Sequence, residues 1–148
     1  MKIIKDKIIK RQNTRLESEG AEFLVLGNLL IQGIPSYKTY TNMPGYDVIA
    51  TNPETEKLIK IQVKSRWRTN APGFIIKNFD CDFIIVVRLN RGNKAGNAEV
   101  KTPEFFIFPK HILEPITRTK DWNKMNLKDI PNYLDFKDQW ELLKKALQ

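Results

Sequence analysis

The first long apolar pattern of the chain repeats at helical spacing. From Thr14 to Ile31 the sequence has no proline, and apolar residues recur every three to four positions. Thr14 with Glu17 has the spacing of a capping box at a helix start. Gly33 and Pro35 supply a stop signal after the last apolar residue. The pattern therefore predicts one long helix between these signals.

Three residues inside this helix are unusual for their positions. Gly20 and Gly27 each cost a helix about 1 kcal/mol relative to alanine, which favours a helix lying flat on a sheet with another backbone close by. Glu22 shares a helical face with Val25 and Leu29. A carboxylate on an apolar face is costly unless it is paired or binds a cation. Spacing alone favours the simpler alternative, in which Glu22 flanks the stripe and reaches water.

Alternating apolar and polar residues then predict a hairpin. Strands are expected over 46–50 and 58–64, joined by the turn-forming residues 53–56. A four-residue loop would pair Asn52 with Lys57 and would place Asp47 opposite Gln62. Opposed residues point to one face of a sheet, and Lys64 lies two residues further along that face. The register would therefore bring Asp47, Gln62 and Lys64 together, whereas a slip by one residue would scatter them.

The remaining elements are predicted from shorter patterns. The uninterrupted apolar run 83–87 is typical of a strand buried on both faces. Residues 74–76 and 104–108 favour strands, the latter ended by Pro109, and 91–97 favours a loop. One helical turn is expected at 110–113 before Pro115. The tail from Asp138 favours a helix that docks on the core through an apolar stripe of Phe136, Trp140, Leu143 and Leu147.

Length and composition limit the class of protein. The 148 residues, 41% of them apolar, suit one folded domain, and we expect the chain to form a single domain over 1–148. No apolar run approaches the ~20 residues that cross a bilayer, and no secretory signal is visible, so a cytoplasmic protein is expected. The single cysteine (Cys81) and single histidine (His111) exclude a disulfide scaffold and a structural zinc site. Any metal would need oxygen ligands, as Mg²⁺, Mn²⁺ and Ca²⁺ do.

The net charge of +8 indicates an affinity for polyanions, nucleic acid first and anionic membrane second. Lysine and arginine are concentrated in an N-terminal arm, residues 1–13. This arm could lie on a phosphate backbone or could be a solvated helical turn, and the sequence does not separate the two.

The residues that the hairpin brings together suit phosphodiester hydrolysis. Asp47 offers a hard oxygen ligand to Mg²⁺, and the amide oxygen of Gln62 is a weaker one. Lys64 could orient the attacking water and stabilise charge on the phosphate. The alternative is a surface strand whose polar side chains face solvent.

The ordered set of motifs resembles the PD-(D/E)XK nuclease superfamily. Gly45-Tyr46-Asp47 is followed by Ile61-Gln62-Val63-Lys64, a pattern similar to branches that place glutamine in the motif, such as the group I intron homing endonucleases of this class and Mrr-like restriction enzymes. The helix preceding them looks like the family helix that carries an active-site glutamate, here Glu22. The resemblance is clear over 14–65 and weaker to about residue 109.

The resemblance implies an α/β protein with a restriction-endonuclease-like αβββαβ core, a central mixed sheet and flanking helices. It also implies Mg²⁺-dependent cleavage of DNA by a homo-oligomer, with Mn²⁺ as a substitute metal. The implied catalytic residues are Asp47, Gln62, Lys64 and Glu22, of which Asp47, Gln62 and Glu22 would bind the metal. Because Gln62 replaces an acid, metal affinity should fall. A non-catalytic DNA-binding module and a structure-selective resolvase of Holliday-junction type are the alternatives.

Contacts with nucleic acid are expected beside the site. Ser65, Arg66 and Arg68 follow the active strand and could meet phosphates, while Trp67 between them could stack or pack. Lys38 and Tyr40 precede Asp47 and could line the same cleft. His111 has no visible partner and is left out of the site, and Cys81 is expected to be a buried apolar residue.

Overall fold

The long N-terminal helix forms over the predicted residues. The computed structural model describes residues 13–39, 45–117 and 123–148, so nearly all of the basic arm, and Tyr40, lie outside the described residues. Helix α1 spans Thr14–Ile31. Its N-cap is Asn13, whose side chain accepts a hydrogen bond from the Arg15 amide at 2.8 Å. The predicted N-cap was therefore wrong by one residue, because Asn13 caps the helix immediately upstream: its side chain accepts from the Arg15 amide and its carbonyl accepts from the Glu17 amide at 3.2 Å.

Helix α1 ends where the glycine and proline of the sequence predicted. Gly33 adopts a left-handed conformation with φ of +80°. Its amide bonds to the Leu30 carbonyl, and the amide of Ile34 bonds to the Leu29 carbonyl at 2.9 Å. This pair of bonds is a Schellman motif, and the buried Ile34 packs in the same core as Leu29.

The glycines of α1 do not provide the close contact between the helix and the sheet that the sequence predicted. Among residues 13–39, 45–117 and 123–148, a Cβ atom added at Gly20 or Gly27 would meet nothing within 4 Å. The helix instead packs on the sheet through Ala21, Val25 and Leu29, which are completely buried. The prediction of a close backbone approach within this chain was thus wrong, because both glycines face away from the sheet.

A five-stranded mixed sheet forms the centre of the molecule, in the order β1-β2-β3-β5-β6. The pairs β1–β2, β2–β3 and β5–β6 are antiparallel, and β3–β5 is parallel. A second sheet pairs β4 with β7. The strands are β1 (Ser36–Lys38), β2 (Val48–Asn52), β3 (Lys57–Arg66), β4 (Gly73–Ile75), β5 (Phe83–Arg88), β6 (Glu104–Pro109) and β7 (Lys124–Asn126).

The predicted hairpin register is confirmed. Asn52 pairs with Lys57, Ala50 with Ile59, and Val48 with Ile61. The turn occupies 53–56 as expected. Because the register is fixed in this way, the residue before β2 meets the part of β3 that carries Gln62.

The mixed sheet with flanking helices confirms the predicted fold class. The connection between the two parallel strands, residues 67–82, contains β4 and no helix, whereas an αβββαβ core would place a helix there. The short strand fills that space because β7 pairs with it and both pack on the sheet through Phe74 and Met125.

Two apolar cores lie on opposite faces of the central sheet. One contains α1 and the C-terminal residues Trp140, Leu143 and Leu147. The other contains α2 (Lys110–Thr117), β4 and β7. Helix α3 spans only Glu141–Ala146, shorter than predicted, because Asp138 adopts a left-handed φ of 55° just before it.

Helix α2 is longer than the single turn predicted. It continues through Pro115 to Thr117, since only the bond from residue 115 to the carbonyl of the exposed His111 is lost. The buried Leu113 holds the helix on the second core. None of the helices in the described part of the chain has the length and apolar character needed to cross a bilayer.

Candidate active site

Asp47 is fixed by backbone hydrogen bonds at the start of β2. Its amide donates to the Ile61 carbonyl at 2.8 Å, and its carbonyl accepts from the Thr39 amide at 3.0 Å. One carboxylate oxygen, Oδ2, accepts a hydrogen bond from the Val63 amide at 2.8 Å. The side chain therefore lies against β3 between the positions of Gln62 and Lys64.

Gln62 is buried beside the same segment. It is 6% exposed, and its Nε2 donates to the Gly45 carbonyl at 3.1 Å. The buried Oε1 has no hydrogen-bond partner among the described residues. An orphaned buried acceptor is costly, and this oxygen is consequently available to a cation or a water.

Gly45 can only be glycine in this conformation. Its φ is +90°, and an added Cβ would lie 2.5 Å from the Cβ of Asp80. In this conformation its carbonyl accepts the hydrogen bond from Gln62. The glycine two residues before Asp47 thus positions one of the four predicted site residues.

Glu22 meets Asp47 from α1. The two carboxyl groups lie within hydrogen-bonding reach of each other. Burial raises the pKa of Glu22 to about 7, and the hydrogen bond and repulsion from Asp47 add to the rise, while Lys38 opposes it. The Glu22 side chain is 15% exposed, so the structure places it inside the protein and not at the solvated edge that spacing favoured.

Lys38 is turned inward, toward the two glutamates of α1. Its side chain is 4% exposed, and its ammonium pairs with Glu19 and lies 3.4 Å from Oε2 of Glu22. It also stacks on the ring of Phe23 at 4.4 Å. Burial disfavours its charge, but the hydrogen bond to Glu19 and the field of both carboxylates outweigh this and raise the pKa of Lys38. The ammonium expected to meet a nucleic-acid phosphate is thus engaged by carboxylates.

Lys64 lies on the other side of Asp47, half-buried on β3. Burial lowers the pKa of Lys64 and Lys77 adds repulsion, while the attraction of Asp47 opposes the change. Within the described residues its ammonium has no ion pair shorter than 4.0 Å. This ammonium can therefore meet a ligand without first leaving a carboxylate.

The oxygens at this point fit a hard divalent cation. Two carboxylates in contact repel when both are ionised, and a cation between them relieves that repulsion. The unpartnered Oε1 of Gln62 is a third oxygen of the kind that Mg²⁺ accepts. In the described part of the chain, no group of three or more His, Cys, Asp or Glu residues could hold a metal. The donor set is thus two carboxylates and one amide, which is weaker than three acids.

A basic cleft of about 440 Å³ lies at the end of β3. Arg66, Arg68 and Lys94 line it, together with Trp67, which is 7% exposed. Arg66 is partly committed, because its guanidinium donates to the Gly73 carbonyl at 2.6 Å. Ser65 is half-buried. Arg68 is exposed and is the residue of this group best placed to meet a phosphate.

The structure places Glu22 and Lys64 beside Asp47, and Gln62 on the part of β3 that Asp47 contacts. Their joint role in one site stays a prediction. Sequence reasoning missed the inward turn of Lys38, because nothing in the short pattern around this residue shows which way it points. Cys81 is buried as predicted, and burial raises the pKa of its thiol to about 11, which disfavours the thiolate near neutral pH.

The comparisons with known proteins show a fold and no family. No protein-family model matches the chain, and no curated protein is similar to it. Among solved structures, the chain is similar to a bacterial homing endonuclease, I-Ssp6803I, with a TM-score of 0.61 and 18% sequence identity. The match covers 93% of this chain and 95% of that chain. At this identity the likeness shows that the two chains share a fold over nearly their whole lengths.

Proposed function

We propose that this protein is a metal-dependent endonuclease that hydrolyses DNA phosphodiester bonds. The observation that carries the proposal is the convergence on Asp47 of a second carboxylate, Glu22, and of a half-buried ammonium, Lys64. The fold shared with a bacterial homing endonuclease supports it.

The chemistry divides among the four side chains. Asp47, Glu22 and Oε1 of Gln62 would hold Mg²⁺, which supplies charge neutralisation and Lewis acidity toward the phosphate when bound. Lys64 donates hydrogen bonds to the attacking water and to the phosphate oxygens, where negative charge develops. Its partial burial strengthens both interactions, because water does not screen them.

The positive cleft of Arg66, Arg68 and Lys94 favours a polyanionic substrate. It continues from the strand that carries Gln62 and Lys64, so a nucleic-acid backbone lying in it would lead to the site. Such contacts fix the position of a duplex without reading its sequence.

A non-catalytic DNA-binding module of the same fold is the second candidate. The observation that favours it is the amide of Gln62 in the place of an acid, which leaves only two carboxylates for the metal. Binding by such a module would fall steeply with salt and would not need Mg²⁺.

Cleavage assays with and without metal separate these functions. We expect wild-type protein to nick or linearise supercoiled plasmid with Mg²⁺ and to do neither with EDTA. Preferential cutting of branched DNA would indicate a resolvase. Metal-independent binding without any cleavage would indicate the binding module.

Asp82 provides a matched control for the site. Asp47 and Asp82 each accept a hydrogen bond from a β3 amide at 2.8 Å, from Val63 and Lys60 respectively, but Asp47 is the one in contact with Glu22. Asp47→Asn should abolish cleavage while DNA binding persists, and Asp82→Asn should leave cleavage intact. Equal cleavage by the two variants would reject this site.

A further inference from the structure

The outward face of α1 is apolar along its whole length. Leu16, Phe23 and Leu30 recur every seven residues and are 64%, 52% and 52% exposed. Leu24 and Ile31, beside them, are 38% and 84% exposed. These side chains lie on the side of the helix opposite the completely buried Ala21, Val25 and Leu29. Their contacts with the sheet are at the edges: the Phe23 ring meets the Lys38 ammonium, and Leu16 and Leu24 line a groove beside Trp67.

Glycines alternate with the large residues on this face. The series Leu16, Gly20, Phe23, Gly27, Leu30 advances by four and three residues in turn, which is the spacing of the contact seam between two paired helices. A Cβ at either glycine would meet no atom within 4 Å in the described part of the chain. Glycine is among the least favourable residues in a helix, and no contact among the residues that the structure describes requires it at these two positions.

We propose that α1 pairs with α1 of a second copy of this chain through this face, which we call the α1 seam. Read from either end, the seam has a leucine, then a glycine, then Phe23 at its centre, with Gly20 three residues before Phe23 and Gly27 four residues after it. A two-fold axis through Phe23 would therefore place equivalent surfaces against each other, as a closed symmetric dimer requires. The Phe23 ring of each copy would lie over the glycines of the other, and the antiparallel helix dipoles favour this arrangement.

The exposed area is of the size that a specific contact needs. The three large residues of the seam and the neighbouring Leu24 and Ile31 together leave about 600 Å² per copy, if each fully exposed side chain offers about 200 Å². Two copies would bury just over 1,000 Å², near the lower bound for a specific interface. The net charge of +8 opposes association of two copies, so an apolar contact has to supply the attraction.

The proposed pairing does not depend on the nuclease function. Helix α1 also carries Glu22, so that in a dimer one element would join the two candidate sites. Oligomeric state can be measured without any cleavage. A monomeric protein would therefore leave the nuclease proposal untouched, and an inactive protein would leave the proposed pairing untouched.

Sedimentation velocity over a range of protein concentrations tests the proposal. We expect wild type to form a dimer whose dissociation constant rises about tenfold in Gly27→Ala and about a hundredfold in the double variant Leu16→Gln, Ile31→Gln. Gly27→Ala favours the helix, so its weaker association cannot come from unfolding. Leu134→Gln is the matched control, because Leu134 is 62% exposed and lies outside α1, and it should dimerise like wild type.

Cross-linking tests the position of the axis. Phe23→Cys should give a disulfide-linked dimer under mild oxidation in native buffer, and Leu134→Cys should not, since the native Cys81 is buried. A wild-type chain that stays monomeric up to about 100 µM would overturn the proposal. So would a dimer whose dissociation constant is unchanged in both α1 variants, or a Phe23→Cys chain that does not cross-link.

Discussion

The Asp47 carboxylate accepts a hydrogen bond from the Val63 amide at 2.8 Å, and this bond sets the geometry of the candidate site. It holds Asp47 against β3. Glu22 then approaches from α1, while Lys64 faces Asp47 from the same strand as Val63. The site is therefore assembled by the backbone of the hairpin, and Asp47 is its centre.

Glu22 should make the stability of the protein depend on pH. Its pKa of about 7 in the folded state lies above its usual value of 4.5, so the unfolded chain loses the proton first as pH rises. Folding stability should thus fall between about pH 4.5 and pH 7, by at most about 3 kcal/mol. Urea unfolding in EDTA at pH 5 and pH 8 measures this fall.

The variant Glu22→Gln carries no such titration. It should gain stability relative to wild type at pH 8 and not at pH 5, and Glu54→Gln, at an exposed turn position, should gain nothing at either pH. If Glu22→Gln and wild type lost equal stability between pH 5 and pH 8, the account of Glu22 would be wrong.

Gln62 should set the strength of metal binding. Gln62→Glu adds a third carboxylate and should tighten Mn²⁺ binding about tenfold or more, whereas Gln62→Met removes the buried oxygen and should weaken it. Titration of Mn²⁺ followed by electron paramagnetic resonance reports the affinity directly. The exposed Gln139→Glu is the control for added charge. Equal affinities in all four proteins would exclude Gln62 as a ligand.

Lys38 should stabilise the fold and hold Glu22 in place. Lys38→Met leaves Glu19 and Glu22 without their shared ammonium, and the free energy of unfolding should fall by about 1–3 kcal/mol. Denaturant unfolding at pH 8 measures the loss, with Lys145→Met on the exposed side of α3 as the control. Lys38→Arg should recover part of the loss, and a fully stable Lys38→Met would show that the ion pairs contribute little.

Arg68 should contribute one phosphate contact. Arg68→Ala should weaken binding to DNA of any sequence and reduce the slope of log affinity against log salt by about 1. Fluorescence anisotropy at several salt concentrations gives this slope. Lys128→Ala, at an exposed position remote in sequence from the cleft, should leave it unchanged. An unaltered slope in Arg68→Ala would remove the cleft from the DNA-binding surface.

Much of the fold follows from local patterns in the sequence. The helix Thr14–Ile31 and the register that pairs Ala50 with Ile59 were predicted because helical spacing, stop signals and a four-residue turn are short-range features. That register also indicated the meeting of Asp47 with β3. The pairing of β4 with β7 was not predicted, because it joins segments about fifty residues apart and neither strand alternates over more than three residues.

The candidate site was predictable only in part. Spacing placed Glu22 on an apolar face but favoured water as its surroundings, and the resemblance to a nuclease family was needed to assign it to the site. The burial of Lys38 depends on how the edge strand β1 lies against α1, which no local pattern encodes. The two glycines of α1 were predicted to contact the sheet, but they face outward. Periodicity alone does not show whether a helix face contacts the same chain or another molecule.

The most direct test of the candidate site compares two lysines of one strand. Lys60 and Lys64 lie four residues apart on the same face of β3, but Lys64 is half-buried beside Asp47, whereas Lys60 is exposed. Single-turnover cleavage of supercoiled plasmid with Mg²⁺ should fall by about a thousandfold or more in Lys64→Met and should stay near the wild-type rate in Lys60→Met. Cleavage by Lys64→Met at the wild-type rate would contradict the assignment of the site.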